Sequence, residues 1–165
     1  MKRKICFITG TRAEYGLLRQ LILSTSKDKS LISQIIVTGS HLSRDHGLTF
    51  KEIEADGLAI TNKINLKIKG DSPQETINSM SEGLKGFSKA LSILKPDLII
   101  ILGDRYEIFA AASTAMILNI PIAHIHGGET TEGAYDEAMR HSITKMSHLH
   151  FVAAPEYQKR VHQLG

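Results

Sequence analysis

Leu98-Ile99-Ile100-Ile101-Leu102-Gly103-Asp104-Arg105-Tyr106-Glu107 is the stretch that decides the fold. An unbroken branched apolar run that stops at Gly reads as a strand buried on both faces, as in a parallel sheet. Upstream, Lys95-Pro96-Asp97 stops a helical pattern. Ile77, Met80, Leu84, Phe87, Leu91 and Leu94 step by three and four, an amphipathic stripe that predicts a core-facing helix. Asp71-Ser72-Pro73-Gln74 supplies its start, a cap candidate before a Pro at an early helical position. Downstream, residues 106 to 118 are nearly apolar all round, which predicts a helix buried on several sides.

The same unit recurs in both directions. Ile5-Cys6-Phe7-Ile8, Ile35-Ile36-Val37, Ile120 to Ile125 and Leu149 to Val152 are further strand candidates of the buried type. Between 60 and 68, Ile60, Ile64, Leu66 and Ile68 alternate with polar residues, which predicts a half-exposed strand nearer an edge. Ala13 to Leu23 and Ala134 to Met146 are helix candidates, and the chain stops at His162-Gln163-Leu164-Gly165, where a C-terminal helix would close. Strand and helix alternate about every 25 to 30 residues, the signature of stacked βαβ units. The expectation is a doubly wound α/β domain with a parallel sheet.

Composition narrows the function. With 165 residues, 42% apolar and 22% charged, the chain suits one globular domain. No apolar run reaches the roughly 18 residues that cross a bilayer, and the N-terminal run is too short for a signal peptide. A single cysteine, Cys6, excludes an intrachain disulfide framework and a Cys-rich zinc site. The expected setting is cytoplasmic. The net charge of +3 is scattered and aromatics are 5%, which argues against a nucleic-acid partner.

Ligands of open α/β sheets bind at the carboxyl ends of the strands, so the strand–helix junctions hold the chemistry. Gly10-Thr11-Arg12-Ala13-Glu14-Tyr15-Gly16 puts a tight turn, a helix N-terminus and an Arg fork where a phosphate could sit. It also reads as an ordinary turn with a solvated Arg. Its spacing fits neither a dinucleotide fingerprint nor a P-loop. Gly39-Ser40-His41 is a plain turn or the lining of a site. Asp104 reads as an N-cap or as a functional carboxylate. Arg105 opposes the helix dipole, so an anion is expected near it.

The densest junction is His124-Ile125-His126-Gly127-Gly128-Glu129, followed by Glu132, Asp136 and Glu137. Strand alternation predicts His124 and His126 on one face. Such a set could hold a metal, or be a helix with an acidic first turn. His148 and His150 are expected to be structural.

These loops together resemble the UDP-N-acetylglucosamine 2-epimerases, and more closely the hydrolysing branch of sialic-acid and related nonulosonate biosynthesis. Tyr135-Asp136-Glu137-Ala138-Met139-Arg140-His141 continues the likeness, which runs along essentially the whole chain. The resemblance implies the Rossmann-like N-terminal domain of a two-domain GT-B fold over residues 1–165, without the C-terminal domain that holds much of the UDP. It implies conversion of a UDP-sugar to UDP and a free 2-epimeric sugar, by elimination and then hydration. With UDP-N-acetylglucosamine the product is N-acetylmannosamine. No cofactor and no metal are implied.

Residue by residue, the likeness places Arg12, Gly16 and Arg105 in substrate binding, the two arginines at the UDP phosphates. It makes Asp104, His126, Glu129 and Asp136 the acid/base candidates. His126 stands where many relatives have Glu, though imidazole also moves protons near neutral pH. The family also implies self-association into a dimer or tetramer. Three rivals share these motifs in part. They are an epimerase of UDP-2,4-diacetamido-2,4,6-trideoxyglucose, the non-hydrolysing branch, and a catalytically dead nucleotide-sugar-binding domain.

Overall fold

A computed structural model describes residues 2–131 and 135–164. The elements run β1 (Arg3–Thr9), α1 (Arg12–Lys27), β2 (Leu31–Val37), α2 (Phe50–Ala55), β3 (Asn62–Lys63), α3 (Pro73–Leu94), β4 (Leu98–Leu102), α4 (Tyr106–Ile117), β5 (Ile122–Ile125), α5 (Asp136–Met146), β6 (Leu149–Phe151) and α6 (Pro155–Leu164). All strand pairs are parallel, in the order β3-β2-β1-β4-β5-β6. The chain winds outward from β1, returns to β4, and winds the other way. The crevice beyond β1 and β4 is therefore the switch point where such sheets bind ligands.

The apolar runs serve two cores, one on each face. Cys6, Ile8, Ile36, Ile99 and Ile101 point to one side, where Phe87, Leu91, Ile108, Ala111 and Ile143 from α3, α4 and α5 cover them. Phe7, Ile35, Val37, Ile100 and Leu102 point to the other, against Tyr15, Leu18 and Ile22 of α1 and Ile53 of α2. Strict alternation within unbroken apolar runs is what a sheet sandwiched between helices requires. α4 is buried along most of its length, as its composition predicts.

Three expectations are corrected. The 60 to 68 segment pairs with β2 only at Asn62 and Lys63. Its alternation survives beyond the pairing, because Ile64 and Leu66 still bury while Ile68 does not. The stripe on α3 holds at Phe87 and Leu91, but Ile77 and Leu84 are 58% and 42% exposed. The face that packs there is Thr76, Ser79 and Gly83 instead. A Cβ on Gly83 would stand 3.3 Å from Leu66 and 3.4 Å from the Cβ of Ala110, so α3 and α4 approach through small residues. β6 is not buried on both faces: it closes the sheet, with Leu149 and Phe151 49% and 56% exposed. The helix expected up to Met146 is found as α5 from Asp136, and Ala134 lies outside the described residues.

Helix ends follow local chemistry. Ser72 caps α3 by accepting from the Glu75 N–H at 3.3 Å, with Pro73 at the first position. Lys95 takes a left-handed backbone just before Pro96 and ends it.

The α3–α4 contact makes a direct test. Gly83→Val should cost about 1–3 kcal/mol through overpacking. Leu84→Ser, one residue on, should change stability by no more than about 0.5 kcal/mol. Urea unfolding of the two variants checks this. The apolar stripe is the true core face if their order reverses.

Candidate active site at the switch point

α5 delivers one buried cation to the carboxyl ends of β4 and β5. Arg140 shares the inward face of the helix with Ile143 and Thr144. Its guanidinium donates to the Asp104 carboxylate, to Thr131 Oγ1 at 3.1 Å and to the His126 carbonyl at 2.7 Å. It also stands 3.5 Å from Glu129 Oε2. The side chains of Arg140 and Asp104 are only 9% and 16% exposed. Thr131 donates to the same Asp104 oxygen at 3.1 Å. Asp104 is therefore held as a charge partner and is not the N-cap of α4; Arg105 occupies that position without a side-chain cap bond.

His126 lies one residue beyond β5 with φ of 63°, in the left-handed region. Its Nδ1 meets Glu129 Oε1 at 2.5 Å. The turn breaks the strand alternation, so His124 and His126 serve different surroundings. His124 is fully buried, with its Nε2 2.8 Å from the Gly103 carbonyl and its Nδ1 3.2 Å from Thr144 Oγ1. Burial pushes its pKa down to about 4, so the ring is neutral and structural. His41 is similar. It is buried between Thr9 and Thr49 at 3.1 and 2.8 Å, and burial lowers it to about 4. The Gly39-Ser40-His41 turn thus packs the fold and lines no site through its histidine.

Arg105 finds its expected anion within the chain. Its Nε lies 2.7 Å from Oε1 of Glu107, whose side chain is fully buried. A cavity of about 340 Å³ opens between this pair and the Arg140 network; Glu14, Asp104, Arg105, His126, Glu129 and Arg140 line it. Its size suits a small polar ligand. Arg12 and Gly16 line a different, wider hollow of about 750 Å³ between α1 and α2. There Arg12 pairs with Glu52 at 2.8 Å, 73% exposed. Arg19 and Tyr15 both bond Asp56, and the Arg19 bond leads in holding that carboxyl down at about 2.

The structure brings Asp104, Arg105, His126 and Glu129 to one cavity. Asp136 opens α5 one helical turn before Arg140, outside that lining. Three further residues belong to the assembly but escape a reading of the loops: Arg140, Glu14 and Glu107. A signal exists for two of them. Arg140 falls in register with Ile143 on the apolar face of α5, and Glu107 is the single acid in an apolar helix.

The model of the family "UDP-N-acetylglucosamine 2-epimerase" matches residues 24–165. The chain belongs to the UDP-N-acetylglucosamine 2-epimerase family. Among its curated relatives, the Campylobacter jejuni "GDP/UDP-N,N'-diacetylbacillosamine 2-epimerase (hydrolyzing)" is 51% identical over 99% of this chain and 42% of that protein. The Escherichia coli "Polysialic acid biosynthesis protein P7" is 44% identical over 99% of this chain and 42% of its own length. Among solved structures, the Neisseria meningitidis UDP-GlcNAc 2-epimerase bound to UDP-GlcNAc superposes with a TM-score of 0.83 at 23% identity. That match covers 97% of this chain and 43% of the meningococcal one. The chain thus spans about two fifths of the length of the epimerases it matches. Six parallel strands with helices on both faces are the α/β fold of these epimerases. Among the described residues, no helix is long and apolar enough to cross a membrane.

Removing the central cation should be severe. Arg140→Ala leaves the part-buried Asp104 without its ionic partner and Glu129 with His126 alone, and breaking a buried pair from one side costs about 3–5 kcal/mol. The double variant Arg140→Met with Asp104→Asn should recover at least half of that loss in thermal unfolding. No recovery means that Arg140 acts through packing and not through charge.

Proposed function

We propose that this chain is the N-terminal, Rossmann-like half of a hydrolysing UDP-sugar 2-epimerase of GT-B architecture. One observation carries the reading: a guanidinium at a helix start, Arg105, shares a cavity with an Arg140-centred set of proton-transfer groups, Asp104, His126 and Glu129. The cation suits the diphosphate of a UDP-sugar, and the set beside it suits C1 and C2 of the sugar. Arg12 and Gly16, one turn away on α1, meet the nucleotide on the other side of the first loop.

The chemistry needs both parts. The C2 proton is weakly acidic, so its removal must be coupled to departure of the nucleotide. A placed base takes that proton while the C1–O bond breaks and its electron pair leaves with UDP. Arg105 stabilises the departing negative charge; Arg12, in the neighbouring hollow, must leave Glu52 to add to it. Water then adds across the double bond: hydroxyl goes to C1 and a proton to C2 on the other face, giving the free epimer. Asp104, His126, Glu129 and Asp136 are the groups for these transfers, and Arg140 positions the first three.

The first reading of the substrate is UDP-N-acetylglucosamine, giving N-acetylmannosamine and UDP in a sialic-acid-type route. The second is UDP-2,4-diacetamido-2,4,6-trideoxyglucose. It is favoured by two relatives named diacetylbacillosamine 2-epimerases, 51% and 39% identical to this chain. Self-association is part of the proposal, and exposed Ile77 and Leu84, seven residues apart on one side of α3, offer a surface for it.

The test joins this chain to the remaining length of the Campylobacter relative. The chimera should release UDP and a free 2-epimeric sugar, and the faster of the two UDP-sugars identifies the substrate. Asp104→Asn and Asp136→Asn should each lower turnover about 100-fold or more and leave UDP binding nearly unchanged. Near-normal turnover removes the residue concerned from the mechanism. The 165-residue chain alone should fold, release no UDP, and bind UDP no better than about millimolar, about −4 kcal/mol. Micromolar binding by the chain alone contradicts a site shared between two halves.

A further inference from the structure

Two carboxylates press on Gly10 from opposite elements. The Gly10 N–H donates to Glu14 Oε2 at 2.6 Å, from the first turn of α1. On its other side, a Cβ on Gly10 would stand 2.6 Å from Oε1 of Glu107, in the first turn of α4. Only glycine fits between them. Both groups are buried, Glu14 with 5% exposure and Glu107 with none. Each keeps one oxygen without a partner among the described residues: Oε1 of Glu14 and Oε2 of Glu107.

Among the described residues the pair has a single cation, Arg105, which is bonded to Glu107. The other described residues around it supply no second one. On its own helix, Arg12 is turned out to Glu52. From the turn after β2, His41 is neutral and bonded to Thr9 and Thr49. Across the cavity, Arg140 is engaged by Asp104 and Glu129, and His126 by Glu129. Tyr106, beside Arg105, is pushed up to about 12 by burial and carries no charge at neutral pH. Glu107 does not line the cavity; Glu14 does.

We infer that Glu14 serves the anion site as a neutral carboxylic acid, donating from Oε1 to a phosphate oxygen, so that binding of a nucleoside diphosphate is coupled to the Glu14 proton. The inference rests on the proposed seat of UDP at Arg105. An ionised Glu14 would set a like charge against the ligand, whereas the acid form adds a donor. Burial favours the acid form and pushes the group up to about 7. Glu107 works in the same direction, while the Gly10 N–H and Arg105 oppose it. An anion bound beside Glu14 raises its proton affinity further.

The sign follows by linkage. Free Glu14 loses its proton as pH rises through about 7, and the complex keeps it to higher pH. UDP affinity must therefore fall above neutrality. NMR titration of the 165-residue chain with UDP between about pH 7.0 and 8.5 reads this. The terminal phosphate, with its second ionisation near pH 6, keeps a nearly constant charge over that range.

The wild-type dissociation constant should rise about fivefold across the range. Glu14→Gln retains an acceptor for the Gly10 N–H and a donor toward the ligand, but no proton to lose. It should bind at every pH at least as tightly as wild type does at the lower end, and its thermal stability near pH 8 should match or exceed wild type. Parallel pH profiles for the two proteins overturn the inference and leave the proposed function standing. So does an equal weakening of Glu14→Gln at both ends of the range, which assigns Glu14 to shaping the turn. If UDP shifts no resonance of the Gly10 and Gly103 turns at tens of millimolar, the seat of UDP is wrong and both readings fall.

Discussion

Arg140 is the interaction on which the site depends. Its guanidinium reaches the Asp104 carboxylate beyond β4 and the His126 carbonyl and Glu129 carboxylate beyond β5. These groups come from separate strands and have no reason to converge without a shared cation. Burial makes the arrangement demanding, since an unpaired charge in a low-dielectric setting is costly. The sheet meets that demand by placing β4 and β5 side by side in register, so that their carboxyl ends open at the same height.

The crevice between β1 and β4 imposes a second constraint. α1 and α4 start there from adjacent strands, and each brings a Glu in its first turn. Acids in a first turn complement the helix dipole. Here they also converge on the backbone of Gly10, so the spacing of the two helices depends on that residue lacking a side chain. The Arg105–Glu107 pair removes the dipole conflict that a cation at a helix start would create. The first loop and the third are thus one structure, although Gly10 and Gly103 lie 93 positions apart in the sequence.

Much of this was legible in the residues. Apolar runs such as Leu98 to Leu102 declare a sheet buried on both faces, and reading the junctions after them finds Asp104, Arg105, His126 and Glu129. Resemblance to a known family supplied the proposed chemistry, which spacing alone could not. What escaped the reading has physical causes. Periodicity counts apolar residues, so it misses a helix that packs through Ser79 and Gly83 and leaves Ile77 and Leu84 outside. Strand alternation fails at His126 because a positive φ redirects the chain. Arg140 and Glu14 went unseen because a charge on a helix normally faces water, and only the fold shows that these two do not.

β6 has a consequence of a different kind. It ends the sheet with a short edge, and Leu149 and Phe151 stand beside that edge half out of the protein. Natural proteins guard such borders with charge, proline or a covering element, because an open apolar edge invites another strand. Lys145 and Lys159 sit on the neighbouring helices and not in the strand itself. Under crowding, this edge is the place at which another strand would pair most readily, with a net charge of only +3 to oppose it.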